Sequence, residues 1–253
     1  MPLPKGYISY NQIRTYRNCP RQYYFSYIEN LKPPINDKIF LGVVFHDAAD
    51  CYLKQKIRGE TPGLNSILEY YARTFEKTSL ESEIVWSENR DKSYKRGLSF
   101  VKYFALEIAP GLRPLMTEKE IQCSLPDSEI KVRGIIDLVE EDFSITDFKT
   151  TTAKWSKDRV NKSFLQMMIY KYLFEEGIGG FIRELKFKIL YSKNATGIRH
   201  QEHSLRADDV NMDQVFEIIQ FVIDNIEKGY FYKNEGYICN FCDFKDHCAK
   251  TEI

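Results

Sequence analysis

Gly134-Ile-Ile-Asp-Leu-Val-Glu-Glu-Asp-Phe-Ser-Ile-Thr-Asp-Phe-Lys149 sets carboxylates and a lysine inside two apolar, strand-like runs. Charged groups are costly in such runs unless they act together. Arg133 to Val139 and Ser144 to Lys149 read as the strands of a β-hairpin, joined by Glu140-Glu141-Asp142 and Phe143. Side chains alternate across a strand, so Asp147 and Lys149 share a face. If Val139 pairs with Ser144, Asp137 stands opposite Thr146; a slip of one residue sets it opposite Asp147. Either register gathers two carboxylates and an ammonium.

Upstream, Ile39 to Lys56 carries apolar residues at helical spacing and contains Gly42-Val-Val-Phe-His46. Further towards the N-terminus, Ser9 caps a short helix reaching Arg17, and Pro20 starts a second, which leaves Cys19 at their junction. Arg14, Arg17 and Arg21 interleave with Tyr16, Tyr23 and Tyr24. That pattern fits either a nucleic-acid groove or amphipathic helix packing with solvated arginines. Asn65–Glu81 and Ser93–Ala109 read as helices around a charged turn, Glu88 to Lys92, and Glu118 to Leu125 reads as a strand. Downstream come a helix over Ser163–Glu176, strands over Leu185–Tyr191 and His200–Leu205, and a final helix that Asp208 or Asp209 caps and that stops at Gly229. The order predicts one α/β domain, a central mixed sheet flanked by helices.

The 253 residues, 43% hydrophobic, are enough for a large core. No apolar run approaches the roughly 20 residues that span a bilayer, and Met1-Pro-Leu-Pro-Lys-Gly has no signal-peptide core. A cytoplasmic protein is expected. Its 36 basic and 36 acidic residues cancel, so an anionic partner must be met by a local patch and a metal. In a reducing compartment the six cysteines are ligands or buried thiols rather than disulfides.

Cleaving a phosphodiester calls for a divalent cation, and hard cations such as magnesium and manganese take oxygen ligands of the kind Asp137 and Asp147 offer. His46 is a tolerable nitrogen ligand for manganese. Lys149 is set to orient water or steady negative charge. The plainer reading of Asp147 and Lys149 is a salt bridge at a sheet edge. In the tail, Cys239-x-x-Cys242 followed by Cys248 has the spacing of a metal or cluster site that takes a fourth ligand from elsewhere. Zinc held by these three with His247 or Cys19, and an iron-sulfur cluster, both satisfy it. Cys51 and Cys123 lie in apolar elements and read as buried thiols.

Gly42-x-x-x-His46, Gly-Ile-Ile-Asp137, Asp147-Phe-Lys149-Thr and Gln166-x-x-x-Tyr170, in this order, resemble the motifs of the RecB-like branch of the PD-(D/E)XK nuclease superfamily. Asp147 stands where many relatives carry glutamate. The resemblance implies a restriction-endonuclease-like core in which His46, Asp137, Asp147 and the main-chain carbonyl of Phe148 hold Mg2+ or Mn2+. It implies that Lys149 is catalytic and that Gln166 and Tyr170 support the site and contact DNA. Cys19, in Asn-Cys-Pro-Arg, is similar to the first cysteine of iron-sulfur members such as the CRISPR-associated adaptation nucleases and AddB-type subunits. With Cys239, Cys242 and Cys248 it implies a 4Fe-4S clasp joining residues 8–28 to 230–250 around a catalytic core over 39–205. The expected activity is that of a DNA exonuclease acting on single strands or free ends, alone or within a recombination, repair or CRISPR-adaptation assembly. The stretch Lys154 to Lys162 becomes a candidate phosphate contact. The competing expectations are a DNA-binding or assembly subunit that keeps the fold without cleavage, and a zinc-stapled DNA-binding protein.

Overall fold

The computed structural model describes residues 3–251. In chain order the strands are β1 (Tyr7–Ile8), β2 (Ile35–Asn36), β3 (Ile84–Val85), β4 (Pro114–Ser124), β5 (Lys131–Glu140), β6 (Ser144–Thr151), β7 (Glu184–Tyr191) and β8 (Arg199–Arg206). The helices are α1 (Tyr10–Asn18), α2 (Pro20–Tyr23), α3 (Asp37–Ile57), α4 (Leu64–Glu81), α5 (Arg90–Tyr103), α6 (Lys157–Gly177), α7 (Met212–Glu227) and α8 (Lys245–Lys250).

The main sheet runs β1-β5-β6-β7-β8, with β4 on the other edge of β5. It is mixed: β4 and β6 lie antiparallel to β5, β7 lies parallel to β6, and β8 antiparallel to β7. Parallel strands need a crossover, and α6 supplies it between β6 and β7. Each face of the sheet carries its own core. On one, α1, α6 and α7 pack through Ile13, Met167, Leu173 and Ile223 against Ile145 and Phe187. On the other, α3, α4 and α5 pack through Phe45, Tyr71 and Phe100 against Leu138, Phe148 and Leu190. The expected α/β class and mixed sheet between helices are therefore present.

The observed elements differ from the expected ones mainly at their ends. Ser156 caps α6, accepting from the Arg159 N–H, so this helix begins six residues before Ser163 and takes in two-thirds of the Lys154–Lys162 stretch. Asn211 caps α7 in place of Asp208 or Asp209, which lie in the preceding 3-10 turn, and α7 is not the final helix because α8 follows. The Glu88–Lys92 turn is partly helical, with Asn89 capping α5. β4 begins four residues before Glu118.

The aromatic-arginine segment divides. Tyr16 and Tyr23 are core residues, 4% and 0% exposed, which removes them from any groove, while Arg14 and Arg17 face a cleft. Cys51 and Cys123 are half-buried rather than fully buried.

Candidate active site

The hairpin register decides the site. Leu138 pairs with Thr146 and Val139 with Ile145, and the ladder stops there. Extended by one step, this register sets Asp137 opposite Asp147, the slipped one of the two possible pairings. The strands part at that step, and the Asp137 carboxylate fills the gap: its Oδ2 accepts a hydrogen bond from the Phe148 backbone N–H at 2.9 Å. A buried N–H that has lost its ladder partner is thereby satisfied.

On β4 the residue facing Asp137 is Glu118, between the Thr117–Leu138 and Lys119–Ile136 pairs. Its backbone is left-handed, φ +43°, a conformation few non-glycine residues adopt. Side-chain alternation breaks at the same point, since Ile136 and Leu138, two apart, face opposite cores. Such irregularities re-aim side chains. Here Glu118 Oε1 and Asp137 Oδ2 each come within 3.4 Å of His46 Nδ1, which α3 brings to the sheet. His46, Glu118 and Asp137 offer one ligand atom each, all within 4.8 Å of one another, and are placed to hold a metal ion. Glu118 escaped the sequence reading, which saw it only as the start of a strand.

Asp147 is wholly buried beside this group. Its Oδ1 accepts hydrogen bonds from Lys149 Nζ (3.0 Å) and Gln166 Nε2 (2.8 Å). Gln166 uses its second N–H on the Tyr170 hydroxyl, 2.8 Å away, one turn further along α6. Asp147 Oδ2 accepts no hydrogen bond, although Lys149 Nζ lies 2.7 Å from it. A buried carboxylate oxygen without a hydrogen bond is costly in a protein interior and suits a metal ligand.

The packing of α6 onto β5 explains Gly134. A Cβ there would meet Leu173 Cδ1 at 2.7 Å and Tyr170 Cε1 at 3.1 Å, so the bare backbone is what lets Tyr170 approach. Gly42 on α3 has no such neighbour: the nearest atom to a Cβ is Thr150 Oγ1 at 3.8 Å.

The charges hold one another in defined states. Burial alone would lower the His46 pKa, but the Asp137 carboxylate and the Glu118 contact outweigh it and push the imidazole up to about 9. Burial and the neighbouring Asp137 push Asp147 up to about 6, against the pull of Lys149. Asp137 is raised by burial too, opposed by His46 and Lys149. For Lys149, burial acts downward, and the carboxylates of Asp147 and Asp137 more than compensate, so the ammonium stays charged. Burial raises the Tyr170 phenol well above its ordinary value, which keeps it neutral. Anionic oxygens thus crowd together with a fixed cation beside them, as a site for a divalent ion and a phosphate requires.

A second grouping joins the ends of the chain. Cys19, Cys239, Cys242 and Cys248 all line one cleft of about 480 Å³. The Arg21 N–H donates to the Tyr232 carbonyl (3.1 Å), and Asn234 donates through its side chain to the Asn18 carbonyl (2.9 Å) and through its backbone to Cys19 Sγ (3.5 Å). Burial raises the Cys242 thiol, and the nearby Cys19 and Cys248 raise it further. Among the described residues the four thiols do not form a close ligand group of the kind His46, Glu118 and Asp137 make. His247 does not line the cleft; its Nε2 faces Glu29 Oε2 at 3.4 Å.

A mixed sheet between two helical layers, with acids and a lysine where two central strands diverge, is an arrangement that suits metal-dependent phosphodiester cleavage. The chain belongs to the PD-(D/E)XK nuclease superfamily, whose family model matches residues 7–249. Among solved structures it is similar to a presumptive exonuclease from Eubacterium rectale, with a TM-score of 0.60 at 14% identity over 98% of this chain and 90% of that one. It also aligns to SSO0001 at a TM-score of 0.41 and 12% identity, covering 96% of each chain, a likeness too weak to argue from. No curated protein matches it.

Proposed function

We propose that this nuclease is a Mg2+- or Mn2+-dependent deoxyribonuclease that works from DNA ends, as a single domain with its catalytic core over residues 39–205. The observation that carries the reading is the buried Asp147 carboxylate, hydrogen-bonded by Gln166 and Lys149 through Oδ1 and with only the Lys149 ammonium, 2.7 Å away, near Oδ2, beside the His46–Glu118–Asp137 group. His46, Asp137, Asp147 and the Phe148 carbonyl are the ligands we assign, and Glu118 joins them. When bound, the cation stabilises charge on the attacked phosphate and lowers the pKa of a nearby water. Lys149 presents its ammonium to the phosphate or to the attacking water. Gln166 and Tyr170 fix the carboxylate and stand beside the path of the DNA. The end-directed reading draws support from the exonuclease description of the Eubacterium rectale protein.

No helix among the described residues is long and apolar enough to cross a membrane; the cytoplasm is the location we assign to the nuclease. Recombination, repair or CRISPR adaptation is the setting we assign, from the four-cysteine pattern. A 4Fe-4S cluster on Cys19, Cys239, Cys242 and Cys248 is the clasp between residues 8–28 and 230–250. Its support is the meeting of all four cysteine side chains in one cleft that His247 does not line.

Purified protein incubated with Mn2+ and DNA labelled at either end tests the activity; progressive shortening is expected, and intact substrate contradicts it. Iron and labile-sulfide determination on the same preparation tests the clasp. Zinc with no iron contradicts the cluster and leaves the nuclease reading standing.

A further inference from the structure

A cleft of about 770 Å³ opens between α1, the first turns of α6 and the start of α7. Arg14 and Arg17, one turn apart on α1, face Arg159 and Lys162, one turn apart on α6. Lys162 is paired with Asp158 at 2.9 Å. Among the described residues, Arg14, Arg17 and Arg159 make no ion pair. Instead the Arg14 guanidinium sits over the Tyr10 ring (5.9 Å) and that of Arg159 over Trp155 (4.2 Å). Burial depresses the Arg159 pKa, and the Arg14 charge across the cleft depresses it further. Asp158, taken up by Lys162, and Asp209 are the acids of the lining, so the cations outnumber them and the cleft keeps a positive excess that favours an anion.

The cleft is not uniformly polar. Leu165, Met168, Val215 and Ile218 give it an apolar lining below the arginines. A duplex hides its base faces in the stack, whereas an unpaired strand presents them together with its phosphates. Cationic walls with apolar and aromatic surface between them suit the unpaired strand. One end abuts the catalytic groups: Tyr10 lines the cleft, and its phenol, raised by burial, also feels Arg14, Lys149 and Asp147.

We propose that this cleft is the track for a single-stranded DNA end, with Arg14, Arg17 and Arg159 on its phosphates and Tyr10 stacked against the base nearest Lys149. The proposal rests on the nuclease reading for the direction of travel, and on the cleft alone for binding.

The test is binding of a fluorescent oligothymidylate to the full chain in chelator, so that no strand is cut, followed by anisotropy over a range of salt concentrations. The variant is Arg14→Ala/Arg159→Ala, with Arg14→Lys/Arg159→Lys as the charge-keeping control and circular dichroism as a check on folding. Removing two phosphate contacts is expected to weaken binding at least about tenfold and to flatten the salt slope by about 1.4, since each single-strand contact contributes about 0.7. The lysine pair is expected to keep the parent slope. A blunt hairpin duplex is expected to bind parent and alanine variant alike. Unchanged oligothymidylate affinity and slope, or equal weakening on the duplex, overturns the proposal. A parent that cuts DNA while the alanine variant binds normally removes the track and keeps the nuclease; a parent that binds through these arginines but cuts nothing does the reverse.

Discussion

Asp137 Oδ2 accepts the Phe148 backbone N–H at 2.9 Å, at the step where β5 and β6 part. One carboxylate thus completes the backbone of the neighbouring strand and faces His46. The two duties separate by mutation. Asp137→Asn keeps an oxygen for the Phe148 N–H, and its urea midpoint is expected close to the parent's, while cation binding is lost. Asp137→Ala leaves that N–H buried and unpaired, at a cost of about 1–3 kcal/mol. Equal stabilities for the two variants in urea denaturation would remove the structural duty.

Cation binding is expected to strengthen as pH rises. His46, raised to about 9, must lose its proton before Nδ1 can serve as a ligand, and Asp147, raised to about 6, must lose one below that pH. Binding therefore displaces about one proton between pH 6 and 9 and about two below pH 6, so affinity falls by up to about tenfold per pH unit in the upper window and more steeply in the lower. Calorimetric Mn2+ titrations at pH 5.5, 7 and 8.5 check this; affinity independent of pH contradicts a protonated His46 at neutral pH.

The two motif glycines are expected to behave differently. Gly134→Ala drives a methyl against Leu173 and Tyr170, and is expected to cost about 1–3 kcal/mol and to reduce cleavage by displacing Tyr170 from Gln166. Gly42→Ala meets only Thr150 Oγ1 at 3.8 Å and gains helix propensity of up to about 1 kcal/mol. Melting temperatures of the two proteins decide the point; a Gly134→Ala protein as stable as the parent contradicts the close packing of α6 on β5.

Tyr170→Phe removes the acceptor for one Gln166 N–H. The orphaned donor is expected to cost about 1–3 kcal/mol and to loosen Asp147, lowering the cleavage rate with little change in DNA affinity. A rate equal to the parent's would leave Tyr170 a packing residue.

These residues differ in how far the sequence reveals them. His46, Asp137, Asp147, Lys149, Gln166 and Tyr170 stand in the motifs that carry the family resemblance, and in the structure His46 meets Asp137 while Lys149 and Gln166 bond Asp147 and Gln166 bonds Tyr170. Glu118 is invisible to that reasoning, because it reaches His46 only through a left-handed backbone and a break in alternation that arise where β4 and β5 pair. β1 is two residues long and pairs in parallel with β5, more than a hundred residues away, so no local pattern marks it. Tyr16 and Arg17 are adjacent in sequence, but adjacent helical positions do not share a face: the tyrosine enters the core and the arginine faces the cleft. The four cysteines show the converse case, in which spacing alone suggests a site and the fold brings Cys19 to the tail.

The central claim is that the Asp147–Lys149 pair cuts phosphodiester bonds. Single-turnover cleavage of end-labelled DNA by saturating protein with Mn2+, parent against Lys149→Ala, tests it most directly. The expected result is cleavage by the parent and a rate reduced at least about a hundredfold in the variant, whose DNA binding is retained. Intact DNA with the parent, or equal rates from both proteins, would contradict the account.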